Sequence, residues 1–168
     1  DRPYERAKAL TALGYRVAVF RDDDVRPSAG LLAEVTQMGC PTFTWDDGQD
    51  IETAIVANVN ESILLQLIDY AISVHGQGLV DDHIKSASQG AETVENIRAV
   101  LYSQQHTLTG DQRAVVARAA GEKNGWFKSV GHMEHVAKEI LAPTFAGVTE
   151  GFKARVNNLL IWAQTVHG

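Results

Sequence analysis

The sequence holds a single cysteine, Cys40, so no disulfide can form within the chain, and this usage fits a reducing compartment such as the cytoplasm. Long apolar runs are equally scarce. None approaches the ~18 residues that a membrane-spanning helix needs, and no secretory-leader pattern opens the chain. No membrane partner is therefore expected. Positive charge is also limited: 15 Lys and Arg stand against 21 Asp and Glu, for a formal net charge of −6. That balance runs against a simple basic nucleic-acid binder. It is compatible with an enzyme that concentrates carboxylates and recruits positive charge as metal ions. A G-x-S-x-G nucleophile elbow, a phosphate-binding G-x-x-x-x-G-K-[ST] loop and a dinucleotide G-x-G-x-x-G fingerprint are all missing, as are internal repeats and low-complexity tracts.

What is present is a chain of 168 residues, 45% of them hydrophobic, enough for one ordinary domain or a small domain with a helical appendage. It starts at Asp1 and enters a helical pattern almost at once, as part of a longer polypeptide would. Pro3 to Leu13 has helical spacing, and Gly14 suits the left-handed position after a helix. Tyr15 to Phe20 (YRVAVF) is a β-branched and aromatic run that reads as a strand. Ser28 is a good N-cap for a helix through Met38, closed by Gly39. Pro41 to Trp45 (PTFTW) is a second short strand, ending in the turn Asp46-Asp47-Gly48. Helix, strand, helix, strand with short joints predicts a parallel sheet flanked by helices.

After Asp50 the strand signal ends. Helices are predicted over 51–59, 62–74, 79–88, 91–102, 111–121, 132–141 and 151–166, with Thr109 and Gln112 spaced as a capping box. The expected fold class is α/β: a partial parallel sheet over residues 1–60, followed by a mainly helical module over 61–168.

Three clusters could carry chemistry. The first is V-A-V-F-R-D-D-D, residues 17–24. Ligands of an open parallel sheet collect at the C-terminal ends of its strands. Side chains alternate along extended backbone, so Asp22 and Asp24 share a face and Asp23 points elsewhere. Two such carboxylates suit a hard cation such as Mg²⁺, although an isolated acidic triplet is equally well read as a solvated loop. The second is T-W-D-D-G-Q-D-I-E, residues 44–52, which opens on the same sheet edge. Asp46, Asp47 and Asp50 are turn formers and caps. Glu52 falls in the first helical turn, where the helix dipole favours an anion. The third is N-G-W-F-K-S, residues 124–129, in which Lys128 follows two large aromatics and could stabilise charge on a phosphoryl group. A solvent-exposed lysine near a helix start is the competing reading. His132, His135 and Glu139 share a helix face without an accompanying metal motif. His75, His83, His106 and His167 read as isolated, and Cys40 as a small buried residue.

Taken in order, L-G-Y-R-V-A-V-F-R-D-D-D, T-W-D-D-G-Q-D-I-E, L-V-D-D-H-I-K-S-A-S and W-F-K-S make the chain resemble the OLD (overcoming lysogenization defect) family of nucleases, from about Tyr4 to the last helix with Trp162. The resemblance implies a Rossmann-like TOPRIM sheet with a metal site, joined to an N-terminal ABC-type ATPase, in proteins of phage defence or DNA processing. It implies that Asp22 and Asp24 match the metal-binding D-x-D, that Glu52 matches a ligand of a second metal, and that Lys128 matches a lysine reaching the cleavage site. The expected cofactors are two Mg²⁺ or Mn²⁺ ions, with ATP used only by the N-terminal region. The expected partners are DNA, that ATPase region, a second copy in a homodimer and a helicase. The glutamate that such domains carry on an upstream strand is missing, so this chain alone is expected to be inactive or nearly so. The expected activity is cleavage or nicking of DNA by two-metal phosphodiester hydrolysis. A degenerate TOPRIM-like scaffold for dimerisation or partner binding is the alternative, and a receiver-like or phosphatase-like use of the acidic triplet is the third.

Overall fold

The computed structural model of the chain describes residues 2–45, 48–103, 107–122 and 124–165. It is a mixed α/β structure, mostly helical, and among the described residues its sheet is a parallel pair of strands. The chain divides into two compact units, residues 1–50 with 154–168, and residues 51–153. The division falls after Asp50, where the sequence pattern placed a boundary at 60/61, because the helix that starts at Ile51 packs within the helical unit.

In the first unit, helix α1 (Arg2–Ala12) ends at Gly14, whose φ of +84° is the left-handed conformation of a C-terminal cap. There the Tyr15 amide donates to the Leu10 carbonyl at 3.1 Å. Strand β1 (Val19–Arg21) is therefore shorter than the run from Tyr15 to Phe20 predicts, and shifted toward the aspartates. Tyr15 is occupied by the helix cap and is 63% exposed. Pairing begins only where a partner exists: Val19, Phe20 and Arg21 lie opposite Thr42, Phe43 and Thr44 of β2 (Thr42–Thr44). Between the strands runs α2 (Ala29–Gln37), with Ser28 as its N-cap accepting from the Leu31 amide. Tyr4, Ala7, Val19, Val35 and Cys40 form the buried core of this layer. The turn residues Asp46 and Asp47 lie outside the described residues.

The second unit is built from α3 (Ile51–Asn58), α4 (Glu61–His75), α5 (Gln77–Ser88), α6 (Val94–Tyr102), α7 (Gly110–Gly121) and α8 (Val130–His135). Ile55, Val56, Leu64, Leu67, Ile68, Ile84, Ile97 and Val116 are almost wholly buried in it. Each such side chain removed from water stabilises the fold by roughly 1.5–3 kcal/mol. Helix α6 starts at Val94, three residues later than the pattern from Ala91 predicts. Gln89 and Gly90 both have positive φ, and Thr93 caps the helix by accepting from the Asn96 amide. The capping box at Thr109 and Gln112 is formed as predicted.

The helix predicted over 132–141 is instead two segments. After α8 the chain widens into a π-helical turn, Val136–Leu141, in which the Ala142 amide reaches the Ala137 carbonyl at 2.9 Å. The wider turn lets Val136, Ile140 and Leu141 all reach the core, which a 3.6-residue period would not align. The last helix, α9 (Glu150–Gln164), begins in the second unit and ends in the first.

Candidate functional site

Asp22, Asp23 and Asp24 follow β1 directly, and the middle one turns inward. The Asp23 side chain is 8% exposed and meets Arg21 at 2.8 Å and Arg26 at 3.1 Å. The Gly48 amide donates to its Oδ2 at 3.2 Å, and its own amide donates to the Gln49 carbonyl at 2.9 Å. The Gly48 amide, ahead of the Arg21 and Arg26 guanidiniums, holds the Asp23 carboxyl below its ordinary range against the opposing effect of burial. Arg21 also donates through Nε to the Tyr4 hydroxyl at 2.9 Å. Asp23 is thus committed to the scaffold that ties the end of β1 to the turn after β2. Asp22, half-buried, and Asp24, exposed, line one recess of about 240 Å³ with Tyr4, Arg21 and Pro27.

In the second unit the other two residues singled out from sequence meet. Glu52 lies in the first turn of α3, with its side chain 3% exposed. Lys128 Nζ donates to Glu52 Oε2 at 3.0 Å across a sequence separation of 76 residues. The lysine side chain remains 38% exposed, so its charge reaches both the buried carboxylate and solvent. Local packing fixes the loop that carries it. Trp126 and Phe127 are 0% and 1% exposed, and the Trp126 amide donates to the Ala120 carbonyl at 3.2 Å. Gly125 sits so tightly that a Cβ there would lie 2.1 Å from the Ala120 carbonyl oxygen and 3.1 Å from Lys128 Cε.

Asp22 and Asp24 offer oxygen donors alone, the chemistry of Mg²⁺ or Mn²⁺. Among the described residues, no group of three or more His, Cys, Asp and Glu side chains is arranged to hold a metal ion. A cation on this recess would keep much of its water shell and take few protein ligands, as Mg²⁺ commonly does at phosphate-processing sites.

Two features escape sequence reasoning. Asp23, rather than its neighbours, is the buried member of the triplet, and its partners Arg21 and Arg26 flank it in plain view. His75, read as isolated, has Nε2 2.7 Å from the Trp126 carbonyl oxygen. A separation of 51 positions leaves no local spacing that could have signalled the contact. His132 likewise has a partner, its Nδ1 lying 3.1 Å from the Tyr70 hydroxyl. His106 and His167 lie outside the described residues. Compared with family models, with curated proteins and with solved structures, the chain matches none.

Proposed function

We propose that this chain is the catalytic region of a divalent-metal-dependent endonuclease of OLD type, with a TOPRIM-like sheet as its acidic part. Asp22 and Asp24 would be metal ligands, Glu52 a ligand of a second ion, and Lys128 the group that neutralises charge on the scissile phosphate. The bound Mg²⁺ or Mn²⁺ would supply Lewis acidity and an activated water. The observation that carries the reading is the Glu52–Lys128 pair. Two residues picked from separate motifs meet at 3.0 Å, one buried and one still open to solvent. The pairing holds the lysine in one place while part of its side chain stays open to an incoming phosphate. Asp22 and Asp24 support it as oxygen donors on one recess. DNA is the substrate, and an N-terminal ATPase, a second copy and a helicase are the partners this reading carries.

Supercoiled-plasmid cleavage by the full-length protein tests the reading, with Mg²⁺, Mn²⁺ and Ca²⁺ compared. Cleavage should require Mg²⁺ or Mn²⁺ and should fall by about 10²-fold or more in Lys128→Ala, the scale of losing one transition-state donor. Asp24→Ala should abolish metal-dependent nicking. Unchanged nicking in either variant would sink the assignment.

A second reading, a non-catalytic scaffold, is favoured by the apolar side chains that the first unit exposes. Leu13 is 74%, Tyr15 63% and Ile161 61% exposed. Absence of cleavage with every metal, together with no saturable Mg²⁺ or Mn²⁺ binding in a titration, would select it.

A further inference from the structure

Beside the loop that carries Lys128 lies a layer of rings that the nuclease reading leaves unused. His75, in the last turn of α4, has Nε2 2.7 Å from the Trp126 carbonyl oxygen. A carbonyl oxygen only accepts, so His75 must carry its proton on Nε2 and donate it. The ring of His132 stands edge-on to His75 with centroids 5.7 Å apart. Tyr70 stacks with Phe127 at 5.9 Å and with His135 at 4.1 Å. The two residues immediately before Lys128 are therefore gripped from α4, Trp126 by its carbonyl through His75 and Phe127 by its ring through Tyr70, while His132 and His135 of α8 pack on those two α4 side chains.

We propose that His75 is a positioning residue for Lys128: by holding the Trp126 carbonyl two residues upstream, it sets the loop geometry that places Lys128 Nζ on Glu52. The buried Trp126 and Phe127 side chains anchor the loop in the core, but burial alone leaves a peptide plane free to rotate. The His75 hydrogen bond fixes the peptide plane between Trp126 and Phe127. Tyr70 and His132 in turn limit where the His75 ring can go, since the Tyr70 hydroxyl lies 3.1 Å from His132 Nδ1. The residue does not touch the phosphate. It acts through the loop, so its loss should slow turnover and leave DNA binding alone.

The inference rests on the reading of Lys128 as the charge-stabilising group, and three variants separate the two. In the full-length protein, His75→Leu should lower the maximal rate of plasmid nicking at saturating Mg²⁺ by about tenfold or more, as misplacement of a reacting group by ~1 Å does. The half-saturating DNA concentration should stay within about twofold, as expected when only transition-state stabilisation is lost. His75→Gln, whose amide nitrogen can stand where Nε2 stood, should recover most of the rate. The chemical shifts of the wild-type His75 ring nitrogens should report the Nε2–H form at neutral pH. Circular dichroism confirms that each variant is folded at the assay temperature. If Lys128→Ala abolishes nicking while His75→Leu nicks normally, the positioning role is wrong and the nuclease reading stands. If Lys128→Ala has no effect, both fall. Equal losses in folded His75→Gln and His75→Leu would also overturn the role, because the donor would then not be what matters.

Discussion

Glu52 and Asp23 are the two charged side chains buried among the described residues, and their counter-charges are arranged differently. Asp23 is enclosed by two guanidiniums and a backbone amide from its own unit, with its side chain 8% exposed. Glu52 meets a lysine that is 38% exposed and can be approached from solvent. Removing one partner of a buried ion pair costs about 3–5 kcal/mol. Water can relieve part of that here, so Lys128→Ala is expected to lower stability by roughly 1–3 kcal/mol. Glu52→Gln on the Lys128→Ala background should restore much of the loss, because it takes away the uncompensated charge. Urea unfolding of the two single variants and the double variant measures this directly. An unchanged midpoint in Lys128→Ala would mean that the pair contributes nothing to the fold.

At the level of elements, the caps were the most legible part of the sequence, because a cap is written in adjacent residues. Ser28, Gly14 and the Thr109–Gln112 box all act where the local pattern put them. What the pattern could not supply was length set by a distant partner. β1 stops at three residues because β2 offers only three, and α8 gives way to a π turn because the core asks for Val136, Ile140 and Leu141 together. The site was less legible than the caps. Asp22 and Asp24 line one recess, yet they lie beyond the end of β1, where the chain bends and strand alternation no longer applies, and Glu52 and Lys128 meet across a separation of 76 positions that no local pattern reports. The loop before Lys128 makes its own claim. Any Cβ at Gly125 collides with a backbone oxygen that cannot retreat, so Gly125→Ala should move the Lys128 loop and destabilise the second unit by about 1–3 kcal/mol, the cost of overpacking. Trp126 fluorescence should shift with it. A Gly125→Ala protein with wild-type emission and melting would show that the loop can give way.

Across the whole molecule, acid is expected to act on both units at once. The Asp23 carboxyl in the first unit and the Asp81 carboxyl in the second are both held below their ordinary value of 3.8. For Asp81 the causes are Lys85, at 2.6 Å, and the Val94 amide, at 2.9 Å. A carboxyl that binds its proton less readily when folded stabilises the fold fully above its unfolded value, and that contribution fades as pH falls toward the depressed one. These two groups should therefore leave stability flat from pH 8 to 5 and reduce it below about 4. Urea midpoints followed across that range should show this, and Asp23→Asn should flatten the acid limb. An unaltered limb in Asp23→Asn would rule out its contribution. The path of the chain has a further consequence, for the timing of folding. The first unit draws on both ends of the sequence: Arg155 donates to the Thr44 carbonyl at 3.3 Å, and the Trp162 ring lies 6.3 Å from that of Phe43. On the ribosome, residues 51–153 emerge before the segment that Thr44 and Phe43 need. The unit translated first is therefore the one completed last, and until then β2 must wait with one face bare, a window in which a chaperone or a second nascent chain could reach it.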